Sequence, residues 1–180
     1  MVTISQLNQA DAAKAYRLIE PLIERASNVA EQVVQARPFA DVQHLIETVN
    51  AALSALSDAD QLTLFRAHPE LAPENPLAMT TASQTEQARL ELLSKHSAYQ
   101  DRLTQLNIAY QRRFGFPFII ALVGHASMQT VLVEFERRVK RAPDLERAEA
   151  LHQVSLVSAA RAKIAFGCDR QTKLQASAGE

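Results

Sequence analysis

Residues 42–53 read VQHLIETVNAAL, and this stretch decides the fold class. Its apolar side chains fall at positions i, i+3, i+4, i+7 and i+11, which is one face of an α-helix. These side chains are Val42, Leu45, Ile46, Val49 and Leu53. Asp41 directly precedes them, and aspartate is a favoured N-cap residue. The stretch therefore predicts an amphipathic helix that begins just after Asp41.

The same helical spacing recurs at 99–110, 128–139 and 145–166. Gly115 follows the first of these stretches, where a glycine can end a helix in a left-handed conformation. Pro21, Pro38 and Pro143 interrupt the pattern elsewhere, because proline breaks a helix interior. Together these features predict an all-α fold. We expect a single-domain bundle of about eight helices over residues 1–166, followed by a polar, flexible C-terminal tail at 167–180.

Composition excludes several classes of protein. The 180 residues are 47% apolar, which is enough for a core. Only four are glycines, so there is no Gly-rich phosphate loop. One cysteine makes neither an internal disulfide nor a thiolate metal site, and a net charge of −1 offers no basic surface for nucleic acid. No apolar run is long enough to span a bilayer. We expect a cytoplasmic protein that binds neither nucleic acid nor membrane.

Histidine spacing argues against a metal site, because no two of the five histidines stand at i, i+3 or i+4 on a helix. His68 differs from the other four. It ends a helical pattern and precedes Pro69, and a residue before proline is disfavoured in helical backbone. Two interpretations remain open for this imidazole: a chemical role, or a favourable interaction with the C-terminal end of the helix dipole.

The tetrapeptide Ser83-Gln84-Thr85-Glu86 matches the S/T-x-x-E capping box. It predicts a helix whose N-cap is Ser83. A helix N-terminus also presents backbone N–H groups to a polar ligand. Ser83 and Glu86 could therefore be both cap and ligand contact.

Arg161 shares one face of the last predicted helix with Val154, Val157 and Ala165. A guanidinium that faces a core needs an anionic partner or a pocket, because an unpaired buried charge is very unfavourable. Two interpretations remain open. One is an intramolecular ion pair, with Glu86 as a candidate partner. The other is a clamp for a substrate carboxylate, which suits the planar fork of arginine.

The segment FGFPFII at 114–120 concentrates three of the seven phenylalanines in five positions. It could be plain core. However, Pro117 breaks any helix there and frees backbone polar groups, which then need partners. An apolar wall with free main-chain donors is also how small-molecule pockets are built.

Taken in order, these motifs resemble the 2-oxo-4-hydroxy-4-carboxy-5-ureidoimidazoline (OHCU) decarboxylases, which complete the conversion of urate to (S)-allantoin. The resemblance rests on HPELA at 68–72, SQTEQ at 83–87 and LNIAYQRRFGFPFII at 106–120. Leu7-Asn8 and Arg37-Pro38-Phe39 precede these motifs, and Arg161 follows them. The chain departs from the family at ARLEL, 88–92, where many members carry small residues, and in a short loop after HPELA that lacks the common Gly-Lys.

The resemblance implies an all-helical homodimer that decarboxylates OHCU without a cofactor or metal. The substrate's carboxylate is β to a ring C=N bond, so the electrons released with CO₂ have a sink in the substrate itself. His68 would be the general acid/base, and Glu86 would accept N–H bonds from the substrate and orient His68. Arg161 would pair with substrate charge. The implied substrate-binding residues are Pro69, Ser83, Gln84, Thr85, Glu86, Gln87, Phe118, Ile119, Ile120, Ala121, Leu122 and Arg161.

Two other functions remain open. One is a related cofactor-free lyase that acts on another ureido or carboxylated heterocycle, which the altered stretch EQARLELL at 86–93 allows. The other is a helical interaction module whose segment 114–120 forms a partner groove. The module predicts an exposed apolar patch and keeps His68, Glu86 and Arg161 apart. Both enzyme hypotheses bring these three residues into one cleft.

Overall fold

The structure is a computed structural model that describes residues 2–90 and 99–167. Within these ranges the chain forms α-helices and short 3-10 turns and no strand, which confirms the all-α prediction. The α-helices are α1 Ile4–Gln9, α2 Ala12–Ile19, α3 Ser27–Gln35, α4 Val42–Ser54, α5 Asp58–Ala67, α6 Thr81–Ala88, α7 Gln100–Phe114, α8 Met128–Arg138 and α9 Pro143–Phe166. The 3-10 turns are Glu20–Leu22, Pro76–Ala78 and Leu122–Gly124.

Most helix ends lie at the positions predicted from the sequence. The Asp41 side chain accepts the His44 backbone N–H at 2.8 Å and begins α4. Gly115 ends α7 with φ 79°. The described ranges hold nine α-helices, in agreement with the expected number of about eight. Of the predicted tail, Gly167 ends α9, and 168–180 lie outside the described residues.

The capping box predicted at Ser83 is wrong. Helix α6 begins at Thr81, and its N-cap is Thr80, whose hydroxyl oxygen accepts the Ser83 backbone N–H at 3.3 Å. Because a threonine three residues earlier caps the helix, the Ser83 hydroxyl is released for another contact. It donates to Glu24 at 2.9 Å.

Helix α9 runs through the middle of the bundle and packs on α4, α5 and the turn Glu20–Leu22. Its buried face is apolar at Ala150 and Val154 and charged near both ends, at Glu146 and Arg161. These two residues are about 22 Å apart along the helix axis, at roughly 1.5 Å per residue. One helix therefore supports two separate buried charge clusters.

No helix within 2–90 and 99–167 is long and apolar enough to cross a membrane. Among the same residues, no group of three or more His, Cys, Asp or Glu side chains is arranged to hold a metal ion.

Candidate active site

A cleft opens where the C-terminal end of α5, the helix α6, the helix α9 and the non-helical segment 115–121 meet. Its cavity volume is about 40 Å³, and the cleft is partly open to solvent. The lining residues are His68, Pro69, Leu71, Ser83, Glu86, Gln87, Phe118, Ile119, Ile120, Leu122, Val157 and Arg161.

His68 is the C-cap of α5 and has extended backbone, as Pro69 predicted. Its Nδ1 lies 2.9 Å from the carbonyl oxygen of Leu64. Because a carbonyl oxygen can only accept, Nδ1 carries the proton of that hydrogen bond. In the neutral ring, Nε2 is therefore the nitrogen with the free lone pair. The bond to Leu64, rather than one to Glu86, orients this imidazole.

The pKa of His68 lies below its ordinary value. Burial lowers this pKa most strongly, and the positive charge of Arg161 lowers it further. The hydrogen bond to Leu64 and the negative charges of Glu24 and Glu86 raise it, but do not overcome burial. The imidazole is thus neutral near pH 7 and able to accept a proton at Nε2.

Arg161 uses all five of its N–H donors within the described part of the chain. Glu86 receives two of these bonds, Nε to Oε1 at 2.7 Å and Nη2 to Oε2 at 2.9 Å. Nη1 donates to Glu24 Oε2 at 3.0 Å and to the Pro21 carbonyl oxygen at 3.3 Å, and Nη2 donates to Ser83 Oγ at 3.2 Å. The intramolecular ion pair with Glu86 is therefore present. A clamp on a substrate carboxylate requires Arg161 to release one of these bonds.

Glu24 is the residue that the sequence interpretation missed. It follows the turn Glu20–Leu22 and is only 3% exposed. Its Oε2 accepts from Thr80 at 3.0 Å, from Ser83 at 2.9 Å and from Arg161 at 3.0 Å. Its Oε1 has no hydrogen-bond partner among the described residues. The sequence gives only a weak indication that Glu24 is buried, namely its position directly after the apolar pair Leu22-Ile23.

The Glu24 carboxyl group is ionised at neutral pH. Burial raises its pKa, but the Arg161 guanidinium and the hydrogen bonds from Ser83, Arg161 and Thr80 outweigh burial and hold the pKa below its usual range. We call Glu24, Ser83, Glu86 and Arg161 the cleft cluster. It holds two carboxylates against one guanidinium, so one negative charge remains in excess beside His68.

One wall of the cleft comes from the non-helical segment 115–121. Ile119 and Ile120 are buried, and their backbone N–H groups donate to no acceptor among the described residues. Buried backbone donors without a partner are rare, and they are ready to bind a ligand. The side chains of Phe118, Ile119 and Ile120 belong to the core cluster, and the same three residues line the cleft.

A second buried charge cluster holds this wall in place. Arg138 Nη1 donates to the Ile119 carbonyl oxygen at 2.8 Å, and its guanidinium lies 4.6 Å from the centre of the Phe118 ring. Arg138 Nε and Nη2 donate to Glu146 Oε1 at 2.9 and 2.6 Å, and the Tyr110 hydroxyl donates to the same oxygen at 2.5 Å. We call Tyr110, Arg138 and Glu146 the wall cluster.

Three of the predicted substrate-binding residues do not line the cleft. Gln84 donates to the Met79 carbonyl oxygen at 3.1 Å, and Thr85 donates to the Thr81 carbonyl oxygen at 3.0 Å. Positions 83, 86 and 87 share one face of α6, and 84 and 85 lie off that face. Ala121 lies just outside the cleft, and its backbone N–H donates to the Gln153 side chain at 2.8 Å.

Gln87 lines the cleft, but its amide is engaged with the protein. Its Nε2 donates to the Glu70 carbonyl oxygen at 2.9 Å, and its Oε1 accepts the Ala72 backbone N–H at 2.8 Å. Gln87 thus fixes the loop that carries Pro69. Leu71 and Val157 line the cleft as well, although the sequence interpretation assigned neither to the site.

Comparison with known proteins places the chain among relatives of similar length. The family model described as OHCU decarboxylase matches residues 8–163. A 2-oxo-4-hydroxy-4-carboxy-5-ureidoimidazoline decarboxylase of Haloferax volcanii is 33% identical over 89% of this chain and 94% of its own. The protein of that name from Mus musculus is 32% identical over 85% of this chain and 86% of its own.

Two solved structures share the fold. The crystal structure of an (S)-allantoin synthase superposes with a TM-score of 0.72 at 26% identity, covering 92% of this chain. This chain spans about half of that one, 54%. The crystal structure of an OHCU decarboxylase in the presence of (S)-allantoin gives a TM-score of 0.67 at 21% identity and covers 87% of this chain.

Proposed function

Since the chain belongs to the OHCU decarboxylase family, we propose that the cleft around His68 is its active site, with His68 as general acid/base. The protein is a carboxy-lyase of urate degradation that converts OHCU to (S)-allantoin. The observation that carries the proposed site is the convergence of His68, Glu86 and Arg161 on one cleft from three different helices. A helical interaction module gives no reason for this convergence.

The reaction needs a base that later returns its proton. As the carboxylate leaves as CO₂, the electron pair of the broken C–C bond forms a C=C bond between the two ring carbons. The π pair of the adjacent C=N bond moves onto the ring nitrogen, which takes a proton from solvent. The 4-hydroxyl gives its proton to His68 Nε2, and its oxygen becomes a carbonyl of the product. The imidazolium then returns that proton to the ring carbon that bears the ureido group. The neutral His68 with a free Nε2 lone pair suits the first transfer.

The remaining cleft residues bind and orient the substrate in this proposal. Glu86 accepts ureido or ring N–H bonds with lone pairs that Arg161 leaves free, while Ser83 contributes a hydroxyl. The backbone N–H groups of Ile119 and Ile120 donate to substrate oxygens, and Pro69 packs under the ring. A rigid arrangement of this kind selects one face for the final protonation, which fixes the S configuration. Arg161 orients Glu86; its pairing with substrate charge stays a prediction.

We also propose that turnover needs no cofactor or metal, because the substrate provides its own electron sink. After exhaustive dialysis against EDTA, the purified protein is expected to keep its full rate. A rate that fell on dialysis and returned with a divalent metal would contradict this.

We further propose a homodimer, as the resemblance implies. Val123, Leu156 and Ile164 are 64, 40 and 72% exposed and line one shallow groove, an apolar surface that a second copy would cover. Sedimentation equilibrium is expected to give twice the chain mass of 19.9 kDa, and L156E to give a monomer. The expected cytoplasmic location stays a prediction, to be checked by cell fractionation.

The proposed function is tested with OHCU that is generated enzymatically in the assay mixture. Urate is oxidised with urate oxidase and hydroxyisourate hydrolase, and (S)-allantoin is followed by circular dichroism. The protein is expected to accelerate the appearance of (S)-allantoin over the spontaneous rate. No acceleration would overturn the assignment in favour of a related lyase that acts on another heterocycle.

A further inference from the structure

Glu24 does not line the cleft, yet it holds two residues that do. Its Oε2 accepts the Ser83 hydroxyl at 2.9 Å and the Arg161 Nη1 donor at 3.0 Å. Its side chain is only 1% exposed. The reaction steps derived above use no group of Glu24. Burying a carboxylate is unfavourable, so a buried carboxylate next to the cleft that takes no part in the reaction is expected to have another role.

The reason does not lie in balancing the charge of Arg161. Glu86 alone pairs with that guanidinium through two parallel hydrogen bonds of 2.7 and 2.9 Å, which already makes a neutral pair. Glu24 adds a second carboxylate in a place that solvent reaches poorly, so its field is weakly screened. The cleft therefore carries one negative charge while His68 is neutral. It becomes neutral overall when His68 takes a proton.

We propose that Glu24 is a positioning residue whose negative charge stabilises the imidazolium that His68 becomes during turnover, and whose hydrogen bonds hold Ser83 and Arg161 in place. The inference rests on the proposed function of His68. The proton moves from the substrate hydroxyl to Nε2 and back to a substrate carbon, and Glu24 itself neither gains nor loses one. Its contribution is electrostatic, so it depends on the charge and little on the exact shape of the side chain.

The charged groups that act on the imidazole are Glu24, Glu86 and Arg161. The two glutamates raise the pKa of His68, and Arg161 lowers it. Neutralising Glu24 removes one of the two raising charges, so the pKa of His68 falls further. A base with a lower pKa stays unprotonated to lower pH, but it accepts a proton from the substrate less readily.

The test is the pH profile of kcat/KM for E24Q, E24D and E70Q. We expect E24Q to move the acid limb to lower pH by about one unit, with a plateau reduced about 3- to 10-fold. E24D keeps the charge and is expected to keep the acid limb of the wild type. E70Q is the matched control, since it neutralises a carboxyl group next to Pro69 that makes no contact with Arg161.

An acid limb of E24Q that coincides with that of the wild type would overturn the proposal, even if the variant were slower or less stable. A purely structural role predicts that result, because lost packing does not move the titration of His68. An NMR titration of the His68 ring in the substrate-free protein keeps the two proposals distinguishable. If the wild type had no activity, a pKa of His68 that falls in E24Q and not in E70Q would still support the role of Glu24.

Discussion

Helix α9 carries two buried arginine-carboxylate centres, and they are built differently. In the wall cluster the Arg138 guanidinium meets the Glu146 carboxylate, and both side chains are fully buried. The Arg141 guanidinium lies 3.8 Å from the other Glu146 oxygen and pairs with Glu149 at 3.0 Å. In the cleft cluster one guanidinium, Arg161, meets two carboxylates, Glu24 and Glu86, and the Glu86 side chain is 34% exposed. Around the first centre two guanidiniums meet two carboxylates, so its charges balance. The second has an excess negative charge and faces the cleft.

This difference indicates that the wall cluster has a structural role and the cleft cluster a role in the reaction. Arg138 binds the Ile119 carbonyl oxygen and lies over the Phe118 ring, so the wall cluster fixes the shape of the non-helical segment 115–121. Nothing in that role needs a charge in excess. The cleft cluster lies beside His68, which must gain and lose a positive charge. An uncompensated carboxylate is unfavourable in a core that only packs, and it is useful where a cation forms during turnover.

The largest expected effect is a difference in the free energy of unfolding when one carboxylate of each cluster is neutralised. E146Q leaves Arg138 buried without a carboxylate partner, and we expect it to lower the free energy of unfolding by about 3–5 kcal/mol. E24Q leaves Arg161 paired with Glu86, and we expect a loss of only about 1 kcal/mol. Urea unfolding of both variants measures this. Equal losses in unfolding free energy would contradict this, because they would show that Arg161 needs Glu24 as much as Arg138 needs Glu146.

The pH dependence of stability sharpens the same contrast. His68 has a lowered pKa, so the folded protein binds fewer protons than the unfolded chain below about pH 6.5, and stability falls as the pH falls through that range. Glu24 also has a lowered pKa. Its contribution is present above the ordinary glutamate pKa and is lost as the pH falls through and below it. His68 and the Glu24 of the cleft cluster therefore both make the protein less stable as the pH falls.

The wall cluster responds on the basic side. Burial, together with the hydrogen bond to Glu146 and its charge, raises the pKa of Tyr110 far above its usual range. Its contribution is complete below about pH 10 and is lost as the pH rises beyond that value. Unfolding free energies measured from pH 4 to 11 are expected to show both limbs. H68N should flatten the step below pH 6.5, and Y110F should flatten the basic limb.

A smaller effect tests how much the hydrogen bonds of the cleft cluster contribute besides its charges. T80V removes one donor to Glu24 and the N-cap of α6, and we expect it to lower stability by about 1–2 kcal/mol. T85V is the matched control, because Thr85 is exposed and bonds only the Thr81 carbonyl oxygen within its own helix. Its effect should stay within about 0.5 kcal/mol. Thermal unfolding of the two variants compares them; equal shifts would contradict the assigned role of Thr80.

Sequence periodicity predicted most helices well because they bury an apolar face; α6 is the exception, since its buried residues are the polar Ser83 and Gln87. The helix after Asp41 and the end of α7 at Gly115 follow from local rules for capping and left-handed backbone. Helical geometry could also have excluded Gln84 and Thr85 from the site, since only positions 83, 86 and 87 share a face of α6. The family resemblance at SQTEQ implied both residues, and their role in substrate binding stays a prediction.

Glu24 and the wall cluster could not be found in the same way. Glu24 lies between a 3-10 turn and α3, where no period applies, and its partners are 56 to 137 positions away in the chain. Arg138 and Glu146 are only eight positions apart, yet each looks like an ordinary surface charge in sequence. Long-range packing buries them, and only the three-dimensional structure shows which charges are balanced.

The most direct test of the central claim is the turnover of H68N in the coupled assay for (S)-allantoin. We expect kcat to fall by about 10²- to 10⁴-fold while thermal unfolding shows an intact fold, because the general acid/base is lost. H125N is the control, since His125 lies outside the cleft, and it should keep the wild-type rate. A folded H68N variant with wild-type turnover would contradict the account.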